Sequence, residues 1–294
     1  MNNLSVAIAS AACPEKLAAC LNALEVARAN VDTSVPVFIA RPARAADVSD
    51  LVRNRPWATL IKVEGVPEIP QLRGAAMGAA GAGWIAVTED IFLPNADWIK
   101  KLLQHARPGR DVIGGSVGNV KIDLVSHAAY LTDYGTFVPS RKPDERVTAL
   151  TGSNVMYGPR VSKRASSWAA EGAWEHVIHT RLLSEGEVNL RFEPTIRVDH
   201  NETYRLGHLL AVRFDLGLHY AKDRIAENDD KSRISRILLA PLLPPFLVLR
   251  LARLAMRTNA IRFLFATPFT LALYSAWVAG ETLGYMSKPV LRGK

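Results

Sequence analysis

Three short runs carry residues able to do chemistry: Thr88-Glu89-Asp90, Trp174-Glu175-His176 and Val198-Asp199-His200. Glu89 and Asp90 close an apolar run, Trp84–Thr88, that reads as a buried strand. Carboxylates at such an end suit a divalent cation, Mg²⁺ or Mn²⁺, held against a diphosphate by hard oxygen ligands. The plainer reading is a solvated acidic turn. Glu175 opens a helix, where a carboxylate complements the helix dipole. His200 ends a short strand, as a structural residue or as a ligand. Two other patterns fail. Gly78, Gly81 and Gly83 have neither the spacing nor the position of a dinucleotide-binding loop. His176 and His179 lack a Cys or acidic partner at zinc-site spacing.

The elements that must position these residues alternate in type. Strands are expected at Ser5–Ala9, Val35–Ala40, Thr59–Val63 and Trp84–Thr88, with helices from Pro14, near Ala45–Arg53 and over Ile69–Ala80. This alternation predicts an α/β fold with a parallel sheet and helices on both faces. Ligands of such sheets bind beyond the carboxyl ends of the strands, where Glu89 and Asp90 stand. Beyond a helix at Asp97–His105 the pattern is irregular. It gives strands at Val112–Val117, Thr148–Tyr157, Asn189–Phe192 and Ile196–Val198, a helix at Trp174–Leu183, and a mixed stretch at Ala128–Arg146. From Tyr204 the chain reads as helical and increasingly apolar, with a linker at Ala226–Arg236. The domains expected are therefore 1–204 and 205–294.

Composition agrees with two such parts. The 294 residues are 49% hydrophobic with two cysteines, which excludes a disordered chain and a disulfide scaffold and suits a reducing cytosol. The short first apolar run, followed at once by Glu15 and Lys16, does not read as a secretion signal. The net charge of +8 is not evenly spread: residues 1–204 hold 22 basic and 22 acidic residues, and residues 205–294 hold 14 and 6. Basic and apolar residues concentrated in one segment point to an anionic membrane surface. They argue against nucleic acid, because no aromatic residues interleave with the basic ones in the expected way.

Taken in order, the motifs resemble the family 2 glycosyltransferases of GT-A fold, over roughly residues 4–220. Val6-Ala7-Ile8-Ala9-Ser10 with Leu17–Leu24 resembles that family's first β-α unit. Leu72-Arg73-Gly74 and Ala79–Ile85 resemble its R-N-x-G…A-x-G-x-x-I stretch, and Thr88-Glu89-Asp90 stands at its D-x-D motif. Leu150-Thr151-Gly152-Ser153-Asn154 resembles the acceptor-side L-x-G-x-N element. Trp174-Glu175-His176 stands at E-D, and Glu193-Pro194…Val198-Asp199-His200 at P-x-x-x-V-x-H. Trp277–Tyr285 resembles the W-A-x-G-E-x-x-G-Y element of a bacterial membrane-associated branch.

The resemblance implies a nucleotide-sugar donor and a lipid or lipid-linked acceptor, in cell-surface polysaccharide or glycolipid synthesis, with inversion at the sugar. It places Ser10, Arg73, Glu89 and Asp90 on the donor, and Gly152, Asn154 and Trp174 on the acceptor side. Asp90 with His200 would hold the cation. The first Asp of D-x-D is replaced by Thr88, the strand-two acidic residue gives way to Arg41, and the usual catalytic Asp is His176. The base is then Glu175 or His176, with Glu175 preferred as the group ionised at neutral pH. These departures also motivate an alternative, a non-catalytic scaffold of the same fold.

With the resemblance to a bacterial branch, the tail implies a place at the cytoplasmic face of the inner membrane. Ile237–Leu249 is uncharged but interrupted by Pro241, Pro244 and Pro245, which reads as too kinked to span. Arg250, Arg253 and Arg257 share one helix face and Leu247, Leu251 and Leu254 occupy another, the pattern of an interfacial helix. Phe263–Gly280 is a marginal span. A single crossing would export Lys288, Arg292 and Lys294, so a monotopic, partly inserted hairpin is expected, with one crossing as the alternative.

Overall fold

The computed structural model describes residues 3–186, 188–226 and 233–287. The side chains of Leu254 and Arg257, all of Lys288, Arg292 and Lys294, and part of the expected linker lie outside the described residues. The chain divides into two compact units, Met1–Val120 with Arg141–Asn201, and Lys121–Ser140 with Glu202–Lys294. The second unit thus takes in a segment from the middle of the sequence as well as the tail.

The first unit opens with β1 (Leu4–Ala9), α1 (Pro14–Ala29), β2 (Val37–Pro42), α2 (Ser49–Arg53), β3 (Ala58–Val63), α3 (Ile69–Ala80) and β4 (Trp84–Glu89). After β5 (Phe92–Pro94), α4 (Trp98–His105) and β6 (Val112–Asn119), the chain leaves for α5 (Leu124–Tyr134) in the second unit. It returns through β7 (Glu145–Val147), β8 (Val155–Tyr157), α6 (Ser162–Ala170), α7 (Glu175–Ser184) and β9 (Leu190–His200). Among the described residues nine strands form one sheet in the order β3-β2-β1-β4-β8-β6-β9-β5, with β7 paired to β9.

The expected parallel half is present: β1 lies parallel to β2 and β4, and β2 parallel to β3. The sheet as a whole is mixed, because β8 runs antiparallel to both β4 and β6. Beyond β8 the sheet turns parallel once more, since β6 and β9 run in the same direction. Thr148–Tyr157 contributes only the three residues of β8, with 150–154 forming a buried loop before it. The two short strands expected at 189–192 and 196–198 are one strand, β9. Pro194 lacks an N–H, and the β6–β9 register shifts between Gly115 and Ser116, an irregularity that accommodates it.

In the second unit α5 is joined by α8 (Leu206–Ala226), α9 (Arg233–Leu239), a 3₁₀ turn (Ala240–Leu242) and α10 (Leu243–Met286), which is broken at Asn259 (φ −157°, ψ 89°). Asp133 of α5 pairs with Arg213 of α8, which ties the inserted segment into this unit. The tail prolines fall where one helix ends and the next begins, between α9 and α10. Pro241 sits in the 3₁₀ turn, and Pro244 and Pro245 open α10, where a missing N–H costs nothing. Two stretches, Arg233–Arg253 and Asn259–Met286, are accordingly long and apolar enough to cross a membrane by length and composition.

Candidate active site

Strand register assembles one half of the site. Ala9 pairs with Ala40 on one side and with Glu89 on the other, so Ser10, Arg41 and Asp90 emerge side by side at the carboxyl ends of β1, β2 and β4. Asp90 Oδ2 accepts from the Ser10 hydroxyl at 2.8 Å and from the Ala12 N–H at 2.9 Å. Arg41 Nη1 donates to Ser10 Oγ at 2.8 Å and to the Ala12 carbonyl at 2.9 Å, and stands 3.9 Å from Asp90 Oδ2. All three side chains are buried. Burial pushes the Asp90 carboxyl up, the Ser10 and Ala12 hydrogen bonds pull it back, and the balance lies at about 6. Arg41, noted in the sequence only as a missing acidic residue, is what orients Ser10 towards Asp90.

Neighbouring residues of an extended strand point to opposite sides, and Glu89 consequently serves the other half. Its Oε1 accepts from Arg73 Nη2 at 2.6 Å, while Arg73 Nη1 donates to Glu175 Oε2 at 2.7 Å. One guanidinium on α3 thus joins the end of β4 to the start of α7. Gly152 makes the space for it: a Cβ there would lie 2.3 Å from Arg73 Nη1. The cavity beneath, walled by Met77, Val155 and Ile178, holds only about 10 Å³, so the guanidinium has no room to sink. Trp174, 42% exposed, stands with its ring centroid 5.7 Å from the Arg73 guanidinium carbon. Burial raises the Glu175 carboxyl, but the Arg73 charge and hydrogen bonds outweigh it and hold the group below its ordinary range. His176, one residue on, is exposed.

Thr88 is fully buried inside the sheet opposite Ile8, so this strand end displays Glu89 and Asp90 and not the position of the first family Asp. The proposed ligand His200 is buried in β9, opposite Phe92, their rings 5.4 Å apart, and Asn201 donates to the Ile91 carbonyl. Sheet pairing thus brings the end of β9 alongside the residue that follows Asp90. Among the described residues no group of three His, Cys, Asp or Glu side chains is placed to hold a metal on its own. The donor set nevertheless fits a hard cation shared with a diphosphate: Asp90 Oδ1 and Glu89 Oε2 accept no hydrogen bond from described residues. Three carboxylates there also face only two guanidiniums.

Asn154 is tied into the fold. Its Oδ1 accepts from Trp98 Nε1 at 2.9 Å, and its Nδ2 donates to the Ser116 and Ile196 carbonyls, each at 2.9 Å. The side chain is spent on joining β6, β9 and α4, at 1% exposure. His179 is likewise structural. The Leu150 N–H donates to its Nδ1 at 3.3 Å, which leaves the ring proton on Nε2, 3.2 Å from the Tyr157 hydroxyl. Burial pushes its pKa down to about 4, with Glu175 pulling the other way.

A folded pKa below the unfolded value of about 6.5 means that the unfolded chain binds the extra proton first. The stability that neutral His179 supplies is therefore whole above about pH 6.5 and is lost as pH falls towards 4. The loss should be on the order of 2–4 kcal/mol. Denaturation midpoints across this range should fall less steeply in His179→Gln than in the parent, a comparison in which the opposing contribution of Asp90 is common to both.

No protein-family model and no curated protein matches the chain. Among solved structures it is similar to S. aureus TarS, at 12% identity and a TM-score of 0.50, over 94% of this chain and 55% of that one. The chain spans little more than half the length of that protein. At this identity the likeness shows the fold alone, a mixed α/β sheet flanked by helices.

Proposed function

We propose that this chain is an inverting glycosyltransferase that moves a sugar from a nucleotide-sugar donor to a lipid or lipid-linked acceptor in bacterial cell-surface polysaccharide or glycolipid synthesis. The observation that carries this reading is the Glu89–Arg73–Glu175 bridge. It sets a donor-side carboxylate and a candidate base on one buried cation, beside the Ser10–Asp90–Arg41 cluster at the strand ends. Strand ends of this kind are where α/β sheets bind their ligands.

In this reading Asp90 and Glu89, with His200 beyond them, would hold Mg²⁺ or Mn²⁺. Such a cation, when bound, offsets the charge that develops on the departing diphosphate. Arg73 and Arg41 fix the two carboxylates in place. Glu175 accepts the proton of the acceptor hydroxyl; Arg73 keeps it ionised at neutral pH while lowering its basicity. Trp174 offers a half-exposed aromatic face to the acceptor sugar, and Gly152 keeps the Arg73 seat open. Binding of UDP-, GDP- and dTDP-sugars to the whole chain, read by calorimetry, tests the assignment. One donor class should bind, and binding by none would remove it.

The second unit is proposed to seat the protein on the cytoplasmic face of the inner membrane. Arg250 and Arg253 are exposed on α10, with Leu249 and Phe246 exposed beside them. Each basic residue near an anionic surface is worth about 1 kcal/mol. The double charge reversal Arg250→Glu with Arg253→Glu should thus cut binding to phosphatidylglycerol-containing vesicles at least tenfold, measured by co-flotation. Binding to neutral vesicles should change little.

A further inference from the structure

The second unit holds a cavity of about 480 Å³ that the transfer reaction does not use. Its walls explain the Trp277–Tyr285 motif, which divides between two faces of α10. Gly280 and Gly284 face α8, where a Cβ on Gly280 would lie 1.9 Å from the Phe214 carbonyl oxygen and one on Gly284 2.6 Å from the Ala221 side chain. Gly217 answers from α8, where a Cβ would lie 2.0 Å from the Trp277 carbonyl oxygen. This close crossing sets the helix rotation. Trp277, Glu281 and Tyr285, at i, i+4 and i+8, then fall on one neighbouring ridge and line the cavity.

The opposite wall is α9 and the turn after it, which bring Arg236 together with apolar Leu239, Leu242 and Phe246. Arg236 Nη1 donates to the Tyr285 hydroxyl at 3.1 Å, and Glu281 interacts with the same hydroxyl. Glu281 is 8% exposed, an acid kept inside the cavity wall. The Trp277 and Tyr220 rings, centroids 5.5 Å apart and tilted by 47°, complete an aromatic side. Leu239, Leu242 and Phe246 continue outward as an exposed apolar ridge, each at least 60% exposed.

We propose that this cavity binds a neutral glycolipid, its sugar hydroxyls on Glu281, Arg236 and Tyr285 and its chain along the Leu239–Phe246 ridge. Arg236 and Glu281 contribute one charge of each sign, so the cavity does not select an anion, and a phosphate would meet the Glu281 carboxylate. Paired donor and acceptor side chains beside an aromatic face match hydroxyls and ring C–H groups instead. The apolar ridge matches an acyl chain and not a soluble sugar. The site concerns binding alone and stands apart from whatever the first unit transfers.

The chain has six tryptophans, of which Trp277 alone lies beyond residue 201, so the emission lost in Trp277→Phe isolates this site. The full chain is reconstituted in phosphatidylcholine nanodiscs. A small mole fraction of lipid brominated on its acyl chains is added: monoglucosyl diacylglycerol, phosphatidylcholine or phosphatidylglycerol. Quenching of Trp277 should saturate with the glucolipid and exceed that by the other two several-fold, and Glu281→Gln should remove the preference. Equal quenching by all three would mean an acyl chain only, and stronger quenching by phosphatidylglycerol an anion site. No quenching of Trp277 would mean a cavity closed to lipid. Each of those three results overturns the proposal, and none bears on donor binding by the first unit.

Discussion

Arg73→Met should unfold more readily than the parent by about 3–5 kcal/mol and lose turnover together with stability. The guanidinium is 8% exposed at its side chain and is the buried cation that both Glu89 and Glu175 contact, at 2.6 and 2.7 Å. Methionine fills a similar volume, so packing over Met77 and Ile178 changes little. What remains is two carboxylates facing one another without a cation between them. Arg73→Lys should recover part of the stability, since a single ammonium cannot present the planar fork that joins both acids. Equal stability of Arg73→Met and the parent would show that the bridge contributes nothing.

Glu175→Gln should lower transfer to a defined acceptor by about 10²–10⁴-fold, the usual cost of losing a positioned general base. Donor affinity should stay near the parent value. Glutamine keeps a carbonyl oxygen for Arg73, so the hydrogen bond from Nη1 survives in neutral form and the start of α7 keeps its place. His176→Ala should be milder, because the exposed imidazole lies outside the bridge. If the two variants ranked the other way, the base would be His176.

How far the sequence could be read depends on the range of the interaction. The β-α alternation up to Glu89 is local, and α3 and β4 fall at Ile69–Ala80 and Trp84–Glu89, within a residue of expectation. The strand-end carboxylates follow from that alternation alone. The Arg73 seat does not, since it needs a glycine 79 residues further on and an acid 102 residues away. Asn154 has the right type for an acceptor ligand, and only the approach of Ser116 and Ile196 shows that its amide is already spent. Helix α5 was hidden because its buried residues, Ser126 to Leu131, run without the polar face that periodicity detects. The tail prolines were legible because their effect is local: they mark the change from α9 to α10.

In the proposed function the first unit turns over a nucleotide-sugar at the β1–β4 strand ends. This turnover is tested most directly by nucleotide release from UDP-, GDP- and dTDP-sugars, with Mg²⁺ or Mn²⁺, by the full chain and by Asp90→Ala. Asp90 holds Ser10 Oγ at 2.8 Å and keeps a carboxylate oxygen open at the strand end, and the variant removes that oxygen. The parent should release nucleotide from one donor class, and a folded Asp90→Ala protein should not. Release at the same rate by both proteins, or none by the parent with any donor, would contradict the proposed function and leave a scaffold of this fold.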